Sequence, residues 1–361
     1  MSWLPPESIW RRFDWGLFLP ILGLALLSFT VLYSAGEQDP SLVLGQAFRF
    51  SVALAVFFAM AILPPRLFAL TAPYLYLVTV GMLVLVLMVG ESGMGARRWL
   101  ELGPLTVQPS EIMKLVLPLT LAAFFSHKDY PPDRWVLAVA LILIGLPAGL
   151  VAIEPDLGTA ILIAATGLVI LFLAGAPFRL FATLGLAGLA SLPAGWYFLQ
   201  EYQRQRVVGF LYPGSDPYGA GYHITQSKIA IGSGGLTGKG WLNGTQSQLD
   251  FLPERHTDFI FAVLSEEFGM AGAAVLLALY LLIVGRGLVV AFRSREMYNR
   301  LVAAGLVTTF FLYVFINIGM TTGLLPVVGV PLPLISFGGS SLVALLASLG
   351  LVMGVSMRRG R

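Results

Sequence analysis

The sequence contains no cysteine, so disulfides and thiolate metal sites are excluded. It has only three histidines, His127, His223 and His256, too far apart in sequence for zinc-ligand spacing. Charge is scarce as well. Asp, Glu, Lys and Arg make up 11% of the 361 residues, against roughly 25% in a soluble domain. That is too little to cover a water-exposed surface. The formal charge is +3 and the pI near 9.2, but the basic residues are scattered over short loops instead of forming one face. Nucleic-acid binding is therefore excluded as a reading.

What is present is apolar. Hydrophobic residues make up 57% of the chain and the mean hydropathy is +0.83. A membrane-crossing helix needs about 20 mostly apolar residues. By that rule the chain reads as an all-α polytopic membrane protein, one multi-pass domain over 1–361. About ten spans are expected, near 15–35, 44–63, 67–89, 109–125, 135–153, 157–173, 180–199, 259–284, 301–319 and 336–355. Spans five and six are separated only by Glu154-Pro155-Asp156. Basic residues gather on the side that holds both termini, including Arg11, Arg12, Arg66, Lys128, Arg134, Arg286, Arg293, Arg300 and Arg358. The positive-inside rule makes that side cytoplasmic. Loop 90–108 and the large loop 200–258 then lie outside. The first apolar run is long enough to read as an uncleaved anchor and not a signal peptide.

Four polar clusters converge on the outer boundary. Gly95-Ala96-Arg97-Arg98-Trp99 offers two always-charged groups to a phosphate, or a plain interfacial anchor. In Gln108-Pro109-Ser110-Glu111-Ile112-Met113-Lys114, Glu111 and Lys114 are three apart and share a helix face. That pair either fixes packing or serves function. Glu154-Pro155-Asp156-Leu157-Gly158-Thr159 has two carboxylates, read first as a turn with Asp156 capping the next helix. Loop 200–258 carries Arg204, Arg206, His223, Lys228, Lys239 and the stretch Pro253-Glu254-Arg255-His256-Thr257-Asp258. There Asp258 either caps the next span or performs chemistry where water meets lipid. The run Gly232-Ser233-Gly234-Gly235-Leu236-Thr237-Gly238-Lys239-Gly240 fails as a P-loop. Ser233 and Gly240 stand where that motif needs Gly and Ser or Thr. Glu266 and Glu267 fall about 12 Å deeper at 1.5 Å per residue and read as supporting groups.

The motifs GARRWLELG with QPSEIMK, EPDLGTA, GYHITQSKIAIGSGGLTGKG, QLDFLPERHTDFIFAVLSEEFG and GLLPVVGVPLPLISFGGSS resemble, in order and spacing, the SEDS family (shape, elongation, division and sporulation). QLDFLPERHTDFIF and VPLPLISFGGSS are more similar to its elongation branch than to its division branch. The resemblance implies a ten-helix peptidoglycan glycosyltransferase of the bacterial inner membrane that uses lipid II. It also implies a class B penicillin-binding protein as transpeptidase partner, alongside other cell-elongation machinery. The family's essential aspartate matches Asp258, its intramembrane pair Glu111 and Lys114, and its loop arginines Arg97 and Arg98.

On that basis Asp258 is the expected base. Arg97 and Arg98 would hold the diphosphate, with Lys239, Arg255 and His256 as further substrate-binding candidates. A divalent cation such as Mg2+ or Mn2+ would arrive on the diphosphate oxygens, since no protein cage is visible. The competing expectation is a lipid II flippase, and a third is a scaffold for cell-wall partners. A transporter should place its decisive charges near the bilayer midplane. Here they crowd one edge, which favours chemistry.

Overall fold

The computed structural model describes residues 12–93, 96–102, 105–212, 220–249, 251–252 and 254–358; the side chains of 91–97, 101, 102, 105, 198, 202 and 220 also lie outside the description. The chain order is α1 (Trp15–Ala35), α2 (Pro40–Ile62), α3 (Pro65–Val89), a small antiparallel sheet of β1 (Glu91–Gly93), β2 (Ala96–Leu102) and β3 (Leu105–Val107), then α4 (Pro109–Ser126), α5 (Arg134–Ile153) and α6 (Leu157–Leu173). It continues with α7 (Phe178–Phe198), α8 (Glu201–Leu211), α9 (Ala220–Ser233), α10 (Thr245–Gln248), α11 (Ile260–Arg293), α12 (Met297–Thr321) and α13 (Ser340–Met357).

Among the described residues nine helices are long and apolar enough to cross a membrane; α6, with 17 residues, is a shorter apolar helix. Together these ten fall on the ten expected runs, with ends shifted by a few residues. The largest shifts have local causes. α11 reaches Arg293 because its apolar pattern continues past residue 284. α13 starts at Ser340, not 336, because 322–339 is spent in a loop. Short oxygen-bearing side chains set several helix starts. Asp39, Asp133 and Asp156 accept from Ser41 N (2.8 Å), Val136 N (2.8 Å) and Thr159 N (3.2 Å), which satisfies otherwise unpaired donors of α2, α5 and α6. The cap expected at Asp156 is therefore present.

The helices α4, α12 and α13 form the interior of the bundle. Lipid tails are as apolar as leucine, so close packing and interhelical hydrogen bonds hold such helices together. α13 carries a Gly350-Leu351-Val352-Met353-Gly354 repeat of small residues. A Cβ at Gly350 would lie 2.4 Å from Phe57 O, and one at Gly354 2.9 Å from Ala61 O, so the two glycines let α13 press on the backbone of α2. Pro147 removes a donor inside α5, and the carbonyl it frees, Leu143 O, accepts from the Tyr76 hydroxyl of α3 at 2.9 Å. α7 is the exception, with none of its apolar span buried.

Within α11 the helix breaks at Gly269 (φ 63, ψ −159). The glycine-rich run packs into that break. Lys239 N and Gly240 N donate to Glu266 O and Glu267 O (3.0 Å each), while Met270 N and Ala271 N donate to Gly235 O (2.9 Å) and Leu236 O (3.1 Å). A Cβ at Gly238 would sit 2.0 Å from Glu267 O. The run that resembles a phosphate loop is thus a strap that satisfies the backbone groups freed by a kinked span.

Candidate active site at one end of the bundle

The turn 254–258 leads into α11, and Asp258 sits half-buried two residues before Ile260, the first helical residue. Two loops hold this turn. Asn317 of α12 donates to Asp258 O (2.9 Å) and to Val330 O (2.7 Å), which ties the turn to the 322–339 loop. Farther along that loop, Phe337 N donates to His256 O (2.9 Å) and the Ser336 hydroxyl to Thr257 O (2.6 Å). Gly329 faces the aspartate: a Cβ there would lie 3.5 Å from Asp258 Oδ2, and its φ of +79 suits glycine.

Burial raises the Asp258 carboxyl to about 6, helped by the negative charge of Glu254 and opposed by Arg206 and Arg98. Those two arginines therefore share its electrostatic neighbourhood. Arg206, on α8, donates Nη1 to Val327 O (3.5 Å) and Val328 O (3.4 Å), on the loop that faces Asp258. Arg98, on β2, donates to Pro155 O (3.1 Å), and its Nε lies 3.6 Å from Asp156 Oδ2. Gln203 of α8 also donates to Pro155 O at 3.4 Å. The tight hairpin between α5 and α6 thus gathers Arg98, Gln203 and its own two carboxylates.

Glu154 of that hairpin is 2% exposed, and its Oε1 has no hydrogen-bond partner among the described residues. Burial pushes its carboxyl up to about 8; Asp156 adds to the rise and Arg98 counters it. At neutral pH it therefore carries a proton for most of the time. Asp156 is engaged by Arg98 and by its cap. No three His, Asp or Glu side chains group into a metal cage among the described residues. The described residues therefore do not fit a resident cation.

The other expected residues have four separate placements. Glu111 and Lys114, both buried in the first turns of α4, pair at 2.6 Å. The Tyr313 hydroxyl of α12 donates to Glu111 Oε2 at 2.7 Å, and Lys114 Nζ lies 4.6 Å from the Tyr313 ring. Arg255 donates to Ser247 O and pairs with Glu37, so it anchors the turn to the α1–α2 connection. Lys239 pairs with Glu266 at 2.7 Å and donates to Thr245 Oγ1 at 2.7 Å, inside the glycine strap. Arg97 is a β2 residue whose side chain lies outside the described set. Sequence reasoning placed Arg206 in the large loop without giving it a role, and it missed Gln203 and Asn317. The signal at hand was weak: polar residues at helical spacing in Glu201–Leu211 mark a polar helix but not what it faces.

The sequence and the fold match known proteins. The family model described as FTSW_RODA_SPOVE, cell cycle protein, matches residues 9–360. The chain is 51% identical over 356 residues to the peptidoglycan glycosyltransferase MrdB of Escherichia coli strain K12, covering 98% of this chain and 96% of that one. It is 35% identical to a probable peptidoglycan glycosyltransferase FtsW of Coxiella burnetii, covering 97% and 98%. Among solved structures, a chain from a study of the coordination of polymerization and crosslinking by a peptidoglycan synthase complex superposes with a TM-score of 0.84 at 35% identity, covering 97% of this chain and 99% of that one. The rod shape determining protein RodA of Thermus thermophilus superposes with a TM-score of 0.75 at 33% identity, covering 98% and 99%. The likeness runs through the whole fold and includes the turn that carries Asp258, so the chain belongs to the FtsW, RodA and SpoVE family of membrane proteins, the SEDS family.

Proposed function

We propose that the protein is a peptidoglycan glycosyltransferase of cell elongation and rod-shape maintenance that polymerises lipid II into β-1,4-linked glycan strands and releases undecaprenyl diphosphate. The observation that carries this is a half-buried carboxylate of raised proton affinity at a bundle end, in the field of two arginines. A polymerase acting on a lipid diphosphate needs a base beside a cationic site. Asp258 takes the proton from the 4-hydroxyl of the acceptor sugar as that oxygen attacks the anomeric carbon of the donor. Inversion there yields the β linkage, and the bond to diphosphate breaks. Diphosphate is already a good leaving group, so one carboxylate suffices. Arg98 and Arg206, with Arg97 from the same strand, meet the charge that develops on it. A base whose pKa lies near the working pH combines availability with driving force.

The wider reading is a ten-span protein of the bacterial inner membrane with both termini cytoplasmic and the Asp258 end outside. Two facts support it: the short connections on the other side carry Arg66, Lys128, Arg134, Arg293 and Arg300, and Asp14, Arg286 and Ser356 form a cluster there. A class B penicillin-binding protein is the proposed partner. A relative's structure comes from a complex described as coordinating polymerization and crosslinking. Lys239 and Arg255 serve by holding the loops around the turn, and His256 through its contact with the 336–337 segment. The Glu111–Lys114–Tyr313 group fixes α4 against α12.

The test uses purified protein with its penicillin-binding partner and labelled lipid II. Long strands from the intact protein and none from Asp258→Ala support polymerisation. Intact lipid II crossing a vesicle bilayer without strand formation would instead establish a flippase.

A further inference from the structure

Each turnover of the reaction proposed above brings together two lipid-linked diphosphates. Arg98 and Arg206 are cationic groups whose charge reaches Asp258. The 322–339 loop runs from Arg206, at Val327 and Val328, past Asp258 at Gly329, to a second guanidinium at its far end. That group belongs to Arg49.

Arg49 lies within α2, nine residues after Pro40 and so about 13 Å along the helix axis. Ionisable groups inside a membrane span are costly and by default indicate function. The guanidinium carbon lies 4.0 Å from the centroid of the Phe337 ring. Stacking satisfies the face of a guanidinium, but its five N–H donors point outward in the plane. Nη1 is buried without a hydrogen-bond acceptor among the described residues, while Arg49 as a whole is only half-buried. One turn earlier, the fully buried Gln46 donates to Ser336 O (3.1 Å), and its Oε1 also lacks a partner. α13 begins beside the guanidinium. A Cβ at Gly339 would lie 3.9 Å from Arg49 Nε, and no side chain caps that helix. Its first N–H groups thus add to the positive field. The same Phe337 ring meets the His256 ring in a T-shaped contact, 6.3 Å between centroids, so one aromatic ring links Arg49 to the proposed catalytic turn.

We propose that Arg49, stacked on Phe337 at the start of α13, binds the phosphate of a second lipid-linked diphosphate, across Asp258 from the one held by Arg98 and Arg206. This rests on the polymerase reading. It gives the two reacting lipids separate cationic docks joined by one loop, with the base between them. A phosphate on an ordinary bilayer lipid has the same chemistry, so the experiment separates the two sources.

The full-length protein in phosphatidylcholine nanodiscs is titrated with undecaprenyl diphosphate, and bound equivalents are counted by native mass spectrometry. The wild type holds two. Arg49→Gln holds one, and Arg49→Lys holds the second about tenfold more weakly, because it keeps the charge and loses the planar fork. Arg98→Gln keeps the Arg49 equivalent, which shows that the count follows the residue and not general unfolding. A single equivalent on the wild type, or two on Arg49→Gln, overturns the proposal. So does displacement of the second equivalent by equimolar phosphatidylglycerol, which makes the site a bilayer-lipid contact. Asp258→Ala should bind two equivalents and form no strands. If it polymerises, the assignment of the base fails while the two-to-one count still stands.

Discussion

Two carboxylates eight residues apart, Asp258 and Glu266, differ in how their charge is met, and the difference bears on why the first is the one proposed for chemistry. Glu266 is fully buried, and its carboxylate is saturated. Oε1 accepts from Lys239 (2.7 Å), Thr245 (3.2 Å) and Gln246 N (2.9 Å), and Oε2 from Ser247 N (3.1 Å). Those donors come from the glycine strap and from α10, so the charge is compensated and the group is locked. Asp258 is half-buried, and its compensation is long-range, from Arg98 and Arg206, with Glu254 working against it. A saturated carboxylate is a poor base, because its lone pairs are already used. A carboxylate deprived of water and only partly compensated takes up protons readily. Burial alone therefore does not separate the two carboxylates; the number of donors on each does.

The contrast is broken most sharply by substitution. Asp258→Asn should lower strand formation by about 10²–10⁴-fold, the usual worth of a general base, with an unchanged melting temperature in detergent. Glu266→Ala should do the reverse first. Removing one partner of a buried pair costs about 3–5 kcal/mol, read as early thermal unfolding, with activity lost only through the missing fold. Equal melting temperatures for wild type and Glu266→Ala would show that the donors around it are not structural.

pH sharpens the comparison next. Asp258 must be ionised to act, and its carboxyl sits at about 6. The polymerisation rate should therefore hold above that value and fall about tenfold per pH unit below it, as measured on labelled lipid II. A flat profile from pH 7 to pH 4.5 would remove Asp258 as the base. The smallest effect belongs to Glu154. Its folded value, about 8, is raised above that of the unfolded chain. Its contribution to stability is therefore present at low pH and is lost as pH rises through about 8, by about 1.4 kcal/mol per unit at most. Glu154→Gln imitates the protonated form. Its melting temperature should stay level between pH 6 and 8 while that of the wild type falls, because the unfolded carboxyl has lost its proton there and the folded one has not; parallel curves would mean that the group is already ionised in the folded protein at the lower end of that range.

Much of this was legible in the chain. The ten apolar runs, the Asp156 cap, the Glu111–Lys114 pair and the placing of Asp258 at a span boundary all follow from spacing and hydropathy. The glycine-rich run was legible only as what it is not. That it fails the phosphate-loop pattern can be read from Ser233 and Gly240, but that it repairs the break at Gly269 cannot, because the break is visible only once α11 is built. The same holds for Arg206. Its spacing marks a polar helix, yet the carbonyls of Val327 and Val328 that receive it lie 121 and 122 residues away.

By itself the sequence determined a bundle of membrane-crossing helices and the end at which its acidic turn lies. Water, lipid and helix geometry act on short stretches, and hydropathy, caps and i,i+3 spacing record those local forces directly. Which charges meet was decided by tertiary structure alone. Lys239 goes to Glu266, Arg255 to Glu37, Arg98 to the Glu154–Asp156 hairpin, and Arg49 to the ring of Phe337. Such partners are chosen by how helices and loops distant in sequence pack together, and where packing buries a carboxyl, as at Glu154 and Asp258, it sets the proton affinity as well.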